Sequence, residues 1–340
     1  MREESSRGLT TCGARAVAEP CVVLLHSGRF LPPDVLAFLE GLVPPGICWR
    51  PLEQGSSPSV RRAAFADANY VFAYPGDPTP EELESARHLK LFQLLSAGHD
   101  WLDLDAFRRN GIPVASNDGS NAVSTAEHAV MLMLALLKQL PRHHGSTAGG
   151  GWLGMSTTMQ LRELRGKIVG LVGFGHIAQQ VGRRVVAFDA TLLYTKPRRA
   201  ALDDEQALGA VYRTLDELLG ESDIVSLHLP LTPRTRGMID ARALALMRPG
   251  GWLVNTARGA LVDEGALIGA LSDGHLAGAG LDVFAHEPID PDSPLLRLRN
   301  VVLTPHVAGA TRDSWTHRMS LAWENVTRVE SGLPPLSRIA

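Results

Sequence analysis

Short apolar runs alternate with longer helix-like stretches along the first third of the chain. The segment from Pro33 towards Leu42 has a helical pattern, and Thr79-Pro80 before two glutamates is typical of a helix start. Strands that alternate with helices predict a parallel sheet with helical crossovers. The expected strands are 21–25, 70–74, 91–95 and 112–115.

The stretch from Ala122 to about Leu140 is apolar on nearly all sides, so we expect a helix buried between layers or domains. Its longest apolar run, 129–137, is far shorter than the roughly 20 residues that a bilayer span requires. No membrane segment is therefore predicted. The following segment, 145–158, is rich in glycine, serine and threonine, which favours a loop or linker.

A second alternating series begins at Lys167. Thr214 and Glu217 have the spacing of a helix capping box, and a final helix is expected from Thr311 to about Glu330. The expected strands are 168–173, 191–195, 223–227, 251–255, 278–283 and 300–304, with a shorter one near Val211.

Length and composition narrow the class of protein. A chain of 340 residues favours two domains, and a formal net charge of -3 argues against nucleic acid as the main partner. Three cysteines without a CxxC pair favour a reducing compartment. We interpret 1–20, which lacks the apolar core of a signal peptide, as a flexible leader on a cytoplasmic protein. No HExxH pair or clustered Cys/His spacing predicts a metal site.

The segment Gly173–Ala178, G-F-G-H-I-A, follows a buried-strand pattern and opens a helix. Gly173 would permit a tight turn, Gly175 would let a pyrophosphate approach the backbone, and Ala178 would keep helix and strand close. A lone GxGxxA is weak evidence and also fits a structural turn. The strand before it and the helix after it predict a dinucleotide site.

The end of the second strand of this series bears on which dinucleotide is bound. NAD-specific sites usually place an acidic residue there, against the ribose hydroxyls, but this chain has Thr195 and Lys196, followed by Arg198 and Arg199. Cations without a carboxylate can pair with a 2′-phosphate, so we expect NADP to be preferred and NAD to be possible. A solvated basic turn with an NAD-tolerant pocket is the alternative.

Several short segments on both sides of the glycine turn carry a family resemblance. They are 96–100 (SAGHD), 124–128 (STAEH), 164–167 (LRGK) with the glycine turn, 228–232 (HLPLT), 254–259 (VNTARG), 281–284 (LDVF) with Glu287-Pro288, and 303–306 (LTPH). Over about 91–335 the sequence resembles the D-2-hydroxyacid dehydrogenase family, which includes glyoxylate/hydroxypyruvate reductases and phosphoglycerate dehydrogenases.

This resemblance implies an α/β fold with two Rossmann-like domains, in which the dinucleotide-binding domain is inserted in a flavodoxin-like substrate domain. The substrate domain would consist of 21–118 and 309–340, and the dinucleotide-binding domain of 119–308. The insertion would explain why the glycine turn lies so late in the chain. Relatives are usually dimers, so a homodimer is expected.

Three residues carry the chemistry in this resemblance. His306 would exchange a proton with the C2 oxygen while hydride moves between C2 and the nicotinamide. Glu287 would orient the imidazole ring and stabilise its protonated form. Arg258 would hold the substrate carboxylate and polarise the C2 oxygen, which suits a planar guanidinium. All three directly follow strand patterns, where ligand clefts of α/β sheets lie.

The resemblance also implies further binding residues. The backbone of Ala97 and Gly98 would bind the substrate carboxylate together with Arg258 and His306, although a simple tight turn would look the same. Asp282 would hydrogen-bond the nicotinamide carboxamide, or else accept hydrogen bonds from nearby backbone donors. The remaining expected dinucleotide contacts are His176 and Ile177 of the glycine turn, with Pro230, Thr256 and Ala257.

The substrate is expected to be small. Tyr74-Pro75-Gly76 lacks the polar or basic groups that a phosphoglycerate dehydrogenase would place at this loop, which favours glyoxylate or hydroxypyruvate over a phosphorylated acid. Glu287 argues against a formate dehydrogenase, where the resemblance would predict glutamine. The open alternatives are phosphoglycerate dehydrogenase and a dinucleotide-sensing binding protein that resembles the corepressors of this family.

Overall fold

A computed structural model describes residues 19–340, and within them the chain forms two compact units. One unit comprises the described residues up to Asp118 together with Thr316–Ala340, and the other comprises Gly119–Trp315. The predicted leader, 1–20, lies outside the described residues except for its last two positions. Within 19–340, no helix is both long enough and apolar enough to cross a membrane.

The first unit is built on a five-stranded parallel sheet whose strand order is β2-β1-β3-β4-β5. This is the flavodoxin-like order, which the sequence predicted. Its strands are β1 (Cys21–His26), β2 (Cys48–Glu53), β3 (Tyr70–Tyr74), β4 (Leu91–Leu94) and β5 (Val114–Ala115), and its first helices are α1 (Pro33–Glu40), α2 (Pro58–Asp67), α3 (Pro80–Ser85) and α4 (Leu104–Arg109).

The second unit contains a seven-stranded parallel sheet with the order β12-β11-β10-β9-β6-β7-β8. Counted from β6, this is the doubly wound Rossmann order: β7 and β8 are added on one side of β6, and β9 to β12 on the other. The strands are β6 (Ile168–Val172), β7 (Thr191–Thr195), β8 (Val211–Tyr212), β9 (Ile224–Leu227), β10 (Gly251–Asn255), β11 (Leu276–Leu281) and β12 (Val301–Leu303). The predicted α/β class is confirmed.

Helices surround this second sheet, and the last helix of the chain begins in the second unit and continues in the first. Short 3-10 turns lie at Gly154–Gln160, Gly259–Leu261 and Pro294–Arg297. The helices are α5 (Ala122–Leu137), α6 (Leu140–Ala148), α7 (His176–Val186), α8 (Leu202–Leu208), α9 (Leu215–Glu221), α10 (Ala241–Leu246), α11 (Glu264–Ser272) and α12 (Arg312–Glu330).

Two sequence expectations about local structure have different outcomes. The capping box predicted for Thr214 and Glu217 is present at the start of α9, and the helix start predicted at Thr79 is confirmed, with a second capping box to Glu82 at the start of α3. The loop predicted over 145–158 is wrong for its first part, because α6 continues to Ala148. No residue of α6 is buried, so the helix leaves no apolar periodicity in the sequence.

The C-terminal segment completes the first unit through polar contacts to its sheet. Glu330 accepts hydrogen bonds from Tyr70 at 2.5 Å and from Lys90 at 2.8 and 2.9 Å. Asn325 donates to the buried Gln93 at 2.7 Å, and Ile339 N–H donates to Val114 O at 2.8 Å. Helix α12 is therefore a covering element of this sheet.

Candidate active site

The glycine turn joins β6 to α7 under a tight steric constraint. Gly173 has φ +101°, and a Cβ at this position would lie 2.1 Å from the carbonyl oxygen of His228. Only glycine fits such an approach. The Gly173 N–H donates to Thr195 O at 2.9 Å, so the turn is also tied to the end of β7.

The start of α7 fits the pyrophosphate of a dinucleotide. Gly175 is the N-cap residue, it provides no side-chain cap, and nothing lies within 4 Å of a Cβ placed there. The N-cap side chain therefore takes up none of the first N–H groups of α7, which lie at the positive end of the helix dipole. His176 is exposed, Ile177 is half-buried and Ala178 is fully buried against the sheet, as the turn requires.

The loops after β9 and β10 reach the same edge of this sheet, because all its strands are parallel. Pro230 is exposed and Ala257 is half-buried there. The hydroxyl of Thr256 is buried and has no hydrogen-bond partner among residues 19–340. A polar atom of a bound dinucleotide would satisfy it.

The turn after β7 carries the cations on which cofactor selection was predicted to depend. Thr195 and Lys196 are half-buried and Arg198 is exposed. Arg199 differs from them because its guanidinium donates to Glu205 through Nε at 2.8 Å and Nη2 at 2.9 Å. The structure therefore removes Arg199 from the cations that could meet a phosphate, and leaves Lys196 and Arg198.

The predicted acid–base pair is assembled at the end of β11 and β12. His306 Nδ1 lies 2.7 Å from Glu287 Oε2, and the Phe284 N–H donates to Glu287 Oε1 at 3.1 Å. The imidazole is about half exposed, with a side-chain accessibility of 46%. Because Nδ1 is engaged by the carboxylate, Nε2 is the ring atom that can exchange a proton with a ligand.

Glu287 is held in its charged form. Burial alone would raise its pKa, but hydrogen bonds from His306 and the Phe284 N–H, with the positive charge of Arg258, outweigh burial. The pKa of Glu287 therefore lies below its ordinary value. A carboxylate that stays charged near neutral pH can stabilise a protonated imidazole.

Arg258 is placed by a turn that the Asn255 side chain closes. Asn255 Nδ2 donates to Arg258 O at 2.9 Å, and Asn255 Oδ1 accepts from the Ala257 N–H at 3.0 Å. The next residue packs against the loop that carries Glu287, since a Cβ at Gly259 would lie 1.9 Å from Phe284 O. This close approach brings the loop of Arg258 beside that of Glu287.

Asp282 is fully buried and organises the backbone around His306. Its Oδ1 accepts hydrogen bonds from Thr304 Oγ1 at 2.6 Å and Val307 N–H at 3.0 Å, and its Oδ2 accepts from Ala308 N–H at 2.9 Å. These are the contacts of a strand-end acid satisfied largely by the backbone, which the sequence analysis left open as an alternative. Its predicted contact with a nicotinamide carboxamide stays a prediction.

His128 is a residue of this region to which the sequence analysis assigned no role. Its Nε2 lies 2.9 Å from Thr304 Oγ1 and 3.5 Å from Asp282 Oδ1. The side chain comes from α5, which is buried along the sheet of the second unit. The only signal in the sequence was its place in the STAEH segment.

Ala97 and Gly98 belong to the first unit, where they follow β4. Ser96 Oγ donates to Gly98 O at 2.9 Å, and the Asn117 N–H donates to Ser96 O at 3.0 Å. The loop is thus tied down at both sides. Its predicted binding of a substrate carboxylate stays a prediction.

Comparison with known proteins identifies the family. Residues 130–308, more than half of the chain, match the family model of the D-isomer specific 2-hydroxyacid dehydrogenase NAD binding domain. The chain belongs to the D-isomer specific 2-hydroxyacid dehydrogenases.

Relatives with similar sequences include enzymes named as phosphoglycerate dehydrogenases and enzymes named as glyoxylate reductases. A D-3-phosphoglycerate dehydrogenase of Mycobacterium tuberculosis is 43% identical over 69% of this chain, and a glyoxylate reductase of Aeropyrum pernix is 39% identical over 74% of it. The match spans 44% of the mycobacterial protein and 77% of the archaeal one. The chain thus spans less than half the length of the mycobacterial relative.

A solved structure with a similar fold aligns with most of this chain. The holo form of Rhodotorula graminis D-mandelate dehydrogenase has a TM-score of 0.81 and 27% identity, and the superposition covers 95% of this chain and 98% of that one. The agreement in fold supports the expectation of a two-domain α/β protein with Rossmann-type sheets.

A partly buried histidine next to the glycine turn is expected to make stability depend on pH in a specific direction. His228 Nε2 lies 2.8 Å from Ser226 Oγ, and burial lowers the pKa of His228 from 6.5 to about 3. The unfolded chain takes up a proton below about pH 6.5 that the folded chain does not, so the contribution is present above that pH and is lost on acidification. Between pH 7 and pH 5 we expect a loss of about 2 kcal/mol through this residue.

Urea unfolding at both pH values checks this expectation. The variant His228→Gln should lose less stability than the wild type on acidification, whereas the same change at the exposed His317 should leave the wild-type difference intact. Equal losses in wild type and His228→Gln would contradict the assignment.

Proposed function

We propose that the protein is an oxidoreductase that transfers hydride between a nicotinamide dinucleotide and C2 of a small D-2-hydroxy or 2-oxo acid. The observation that carries this proposal is the His306–Glu287 pair, 2.7 Å apart, in the same unit as the glycine turn. Family membership supports it, because relatives that share the NAD binding domain are named as reductases and dehydrogenases of such acids.

The proposed mechanism assigns one task to each polar group. The bound nicotinamide supplies or accepts the hydride at C2. During oxidation His306 Nε2 accepts the hydroxyl proton, and during reduction it returns a proton to the C2 oxygen. Glu287 stabilises the protonated ring, and Arg258 binds the substrate carboxylate and polarises the C2 oxygen.

For the substrate we favour glyoxylate or hydroxypyruvate over a phosphorylated acid. Tyr74, Pro75 and Gly76 introduce no cation after β3. Arg61, a nearby basic side chain, donates to Asp77 O at 3.1 Å but is buried and paired with Glu82 at 2.7 Å. The charge of Arg61 is therefore already neutralised.

Activity assays test the reaction. We expect turnover of glyoxylate, hydroxypyruvate or pyruvate with NADPH or NADH, and a loss of about 10²- to 10⁴-fold in kcat for His306→Asn, because a general acid–base group is removed. Dinucleotide affinity should persist in that variant. The same change at the exposed His88 is the matched control and should retain activity.

Two other outcomes have defined meanings. Tight dinucleotide binding without turnover of any 2-oxo acid would overturn the enzyme and support the dinucleotide-sensing alternative. Turnover confined to a phosphorylated hydroxy acid would make the protein a phosphoglycerate dehydrogenase.

We also propose that NADP is the preferred cofactor and that NAD is accepted. Support comes from Thr195 at the end of β7, where no carboxylate would repel a 2′-phosphate, and from Lys196 and Arg198 beyond it. Thr195→Asp should lower the NADPH-to-NADH ratio of kcat/KM by about tenfold, equivalent to ~1.4 kcal/mol. The control is Thr195→Asn, because asparagine has the size of aspartate without its charge. A similar fall of the NADPH-to-NADH ratio in Thr195→Asn would contradict the electrostatic explanation.

A homodimer is proposed for the second unit on the basis of exposed apolar surface. Helices α5, α6 and α7 border an open groove of about 460 Å³ that is almost wholly apolar, with Met131, Leu140 and Phe188 among its lining residues. Trp152, Met155 and Met159 in the following segment are more than 80% exposed. Apolar surface of this kind on a symmetric oligomer is covered by a second copy.

Sedimentation velocity tests the dimer. Met131→Glu should shift the species towards monomer, whereas Leu202→Glu, at an exposed apolar position outside the groove, should not. A wild-type protein that sediments as a monomer at micromolar concentration would refute the assignment.

The cytoplasmic location suggested by cysteine usage stays a prediction.

A further inference from the structure

The turn that follows β7, residues 195–200, is anchored at both ends. At its start, Thr195 O accepts the N–H of Gly173 from the glycine turn at 2.9 Å. At its end, the Ala200 N–H donates to the hydroxyl of Tyr194 at 2.9 Å. The residues between the two anchors include Lys196 and Arg198, the cations assigned above to cofactor selection.

Three side chains form the second anchor, and we call them the turn clamp: Tyr194, Arg199 and Glu205. Glu205 lies on α8, is 6% exposed, and accepts two hydrogen bonds from Arg199 at 2.8 and 2.9 Å and a third from the Tyr194 hydroxyl. These bonds favour the charged carboxylate and lower the pKa of Glu205 to about 2. The clamp is thus a fully paired polar cluster under the turn.

The turn clamp is also packed against the dinucleotide site. Tyr194 is fully buried, and its ring stacks on Phe174 of the glycine turn with 4.1 Å between ring centroids. Its other neighbour is Tyr212 of β8, at 5.6 Å. A change in the turn clamp would therefore alter the packing beneath Lys196 and Arg198 without altering a residue that contacts the phosphates of the dinucleotide.

The turn clamp carries no net charge, whereas the turn between the two anchors is positively charged. Arg199 and Glu205 neutralise each other, whereas neither Lys196 nor Arg198 forms an ion pair within the described range 19–340. Two positive charges thus stand between the anchors. A flexible turn would spread these charges over many positions, and ordering long side chains on binding costs free energy.

We propose that the turn clamp fixes residues 195–200 in the conformation in which Lys196 and Arg198 meet the 2′-phosphate of NADP. Glu205 and Arg199 are then positioning residues for cofactor selection that do not touch the phosphate. The inference rests on the proposed NADP preference and adds to it the residues that impose it.

Glu205→Gln distinguishes positioning from direct electrostatics, because the two predict opposite signs. The change removes a negative charge close to the turn, so a purely electrostatic effect would strengthen NADP binding. If the clamp positions the turn, the weakened bond to Arg199 should lower NADP affinity relative to NAD instead.

The experiment titrates NADP⁺ and NAD⁺ separately into each variant by calorimetry and compares the ratio of the two dissociation constants. We expect Glu205→Gln and Arg199→Met each to shift the ratio towards NAD by about 3- to 10-fold, and the double variant to shift it no further than the larger single change. Glu82→Gln is the matched control, because Glu82 pairs with Arg61 through Nε at 2.7 Å and Nη2 at 2.8 Å, and this pair belongs to the first unit rather than to the unit of the turn.

Three results would overturn the proposal. In the first, Glu205→Gln leaves the ratio of the two dissociation constants unchanged or shifts it towards NADP. In the second, Arg199→Met weakens NADP binding relative to NAD but Glu205→Gln does not, and in the third the variants have a lower melting temperature but an unaltered ratio. Should Glu205→Gln not fold, Tyr194→Phe carries the same expectation, since it removes the Ala200 anchor without changing any charge. The ratio of dissociation constants in the wild type shows by itself whether NADP is preferred. The proposed NADP preference can therefore fail while the change of this ratio in the variants still tests the role of the turn clamp.

Discussion

The candidate site depends on the buried carboxylate of Asp282. Its two oxygens hold the backbone N–H groups of Val307 and Ala308 together with the Thr304 hydroxyl. His306 itself has φ +56°, a conformation that a histidine rarely adopts, and its N–H donates to Asp282 O at 2.8 Å. The surrounding hydrogen bonds stabilise this conformation, which presents the imidazole to Glu287. His128 on α5 contacts the same carboxylate and the Thr304 hydroxyl, so the buried helix contributes to the geometry around His306 and Glu287.

Two close backbone approaches bring the loops of this sheet edge together. At Gly173 the turn after β6 contacts the carbonyl of His228, and at Gly259 the turn after β10 contacts that of Phe284. Neither position has room for a Cβ. The loop after β6 is thus joined to that after β9, and the loop after β10 to that after β11, by main-chain contacts, which are less adaptable than side-chain packing.

The sequence predicted the fold well where strands are buried and poorly where elements are exposed. Most central strands appear as continuous apolar runs, and their order follows from the alternation with helices. Strand β2 was missed because it lies at the sheet edge, is half exposed and contains Pro51. Helix α6 was missed because it buries nothing.

Within the site, Arg258, Glu287 and His306 could be named from the family resemblance, together with the pairing of Glu287 and His306. Their positions after parallel strands agreed with it, because parallel strands end at one edge of the sheet. That Arg199 is occupied by Glu205 could not be foreseen, because the pairing depends on how α8 packs beneath the turn. The alternatives for Asp282 could not be separated either, since backbone N–H groups leave no mark in a sequence.

The C-terminal segment that completes the first sheet imposes an order on biosynthesis. The second unit is one continuous stretch, Gly119–Trp315, whereas the first needs residues from both sides of it. Val114, on the last strand of the first sheet, bonds to Ile339 and Ala340. During synthesis on the ribosome, the second unit can fold while the first unit still lacks α12. The strands of the first unit, although made earlier, therefore complete their packing last. Until then the apolar side of the sheet that includes Phe72, which packs on Trp323 of α12 with 4.9 Å between ring centroids, is exposed to chaperones and to misassembly.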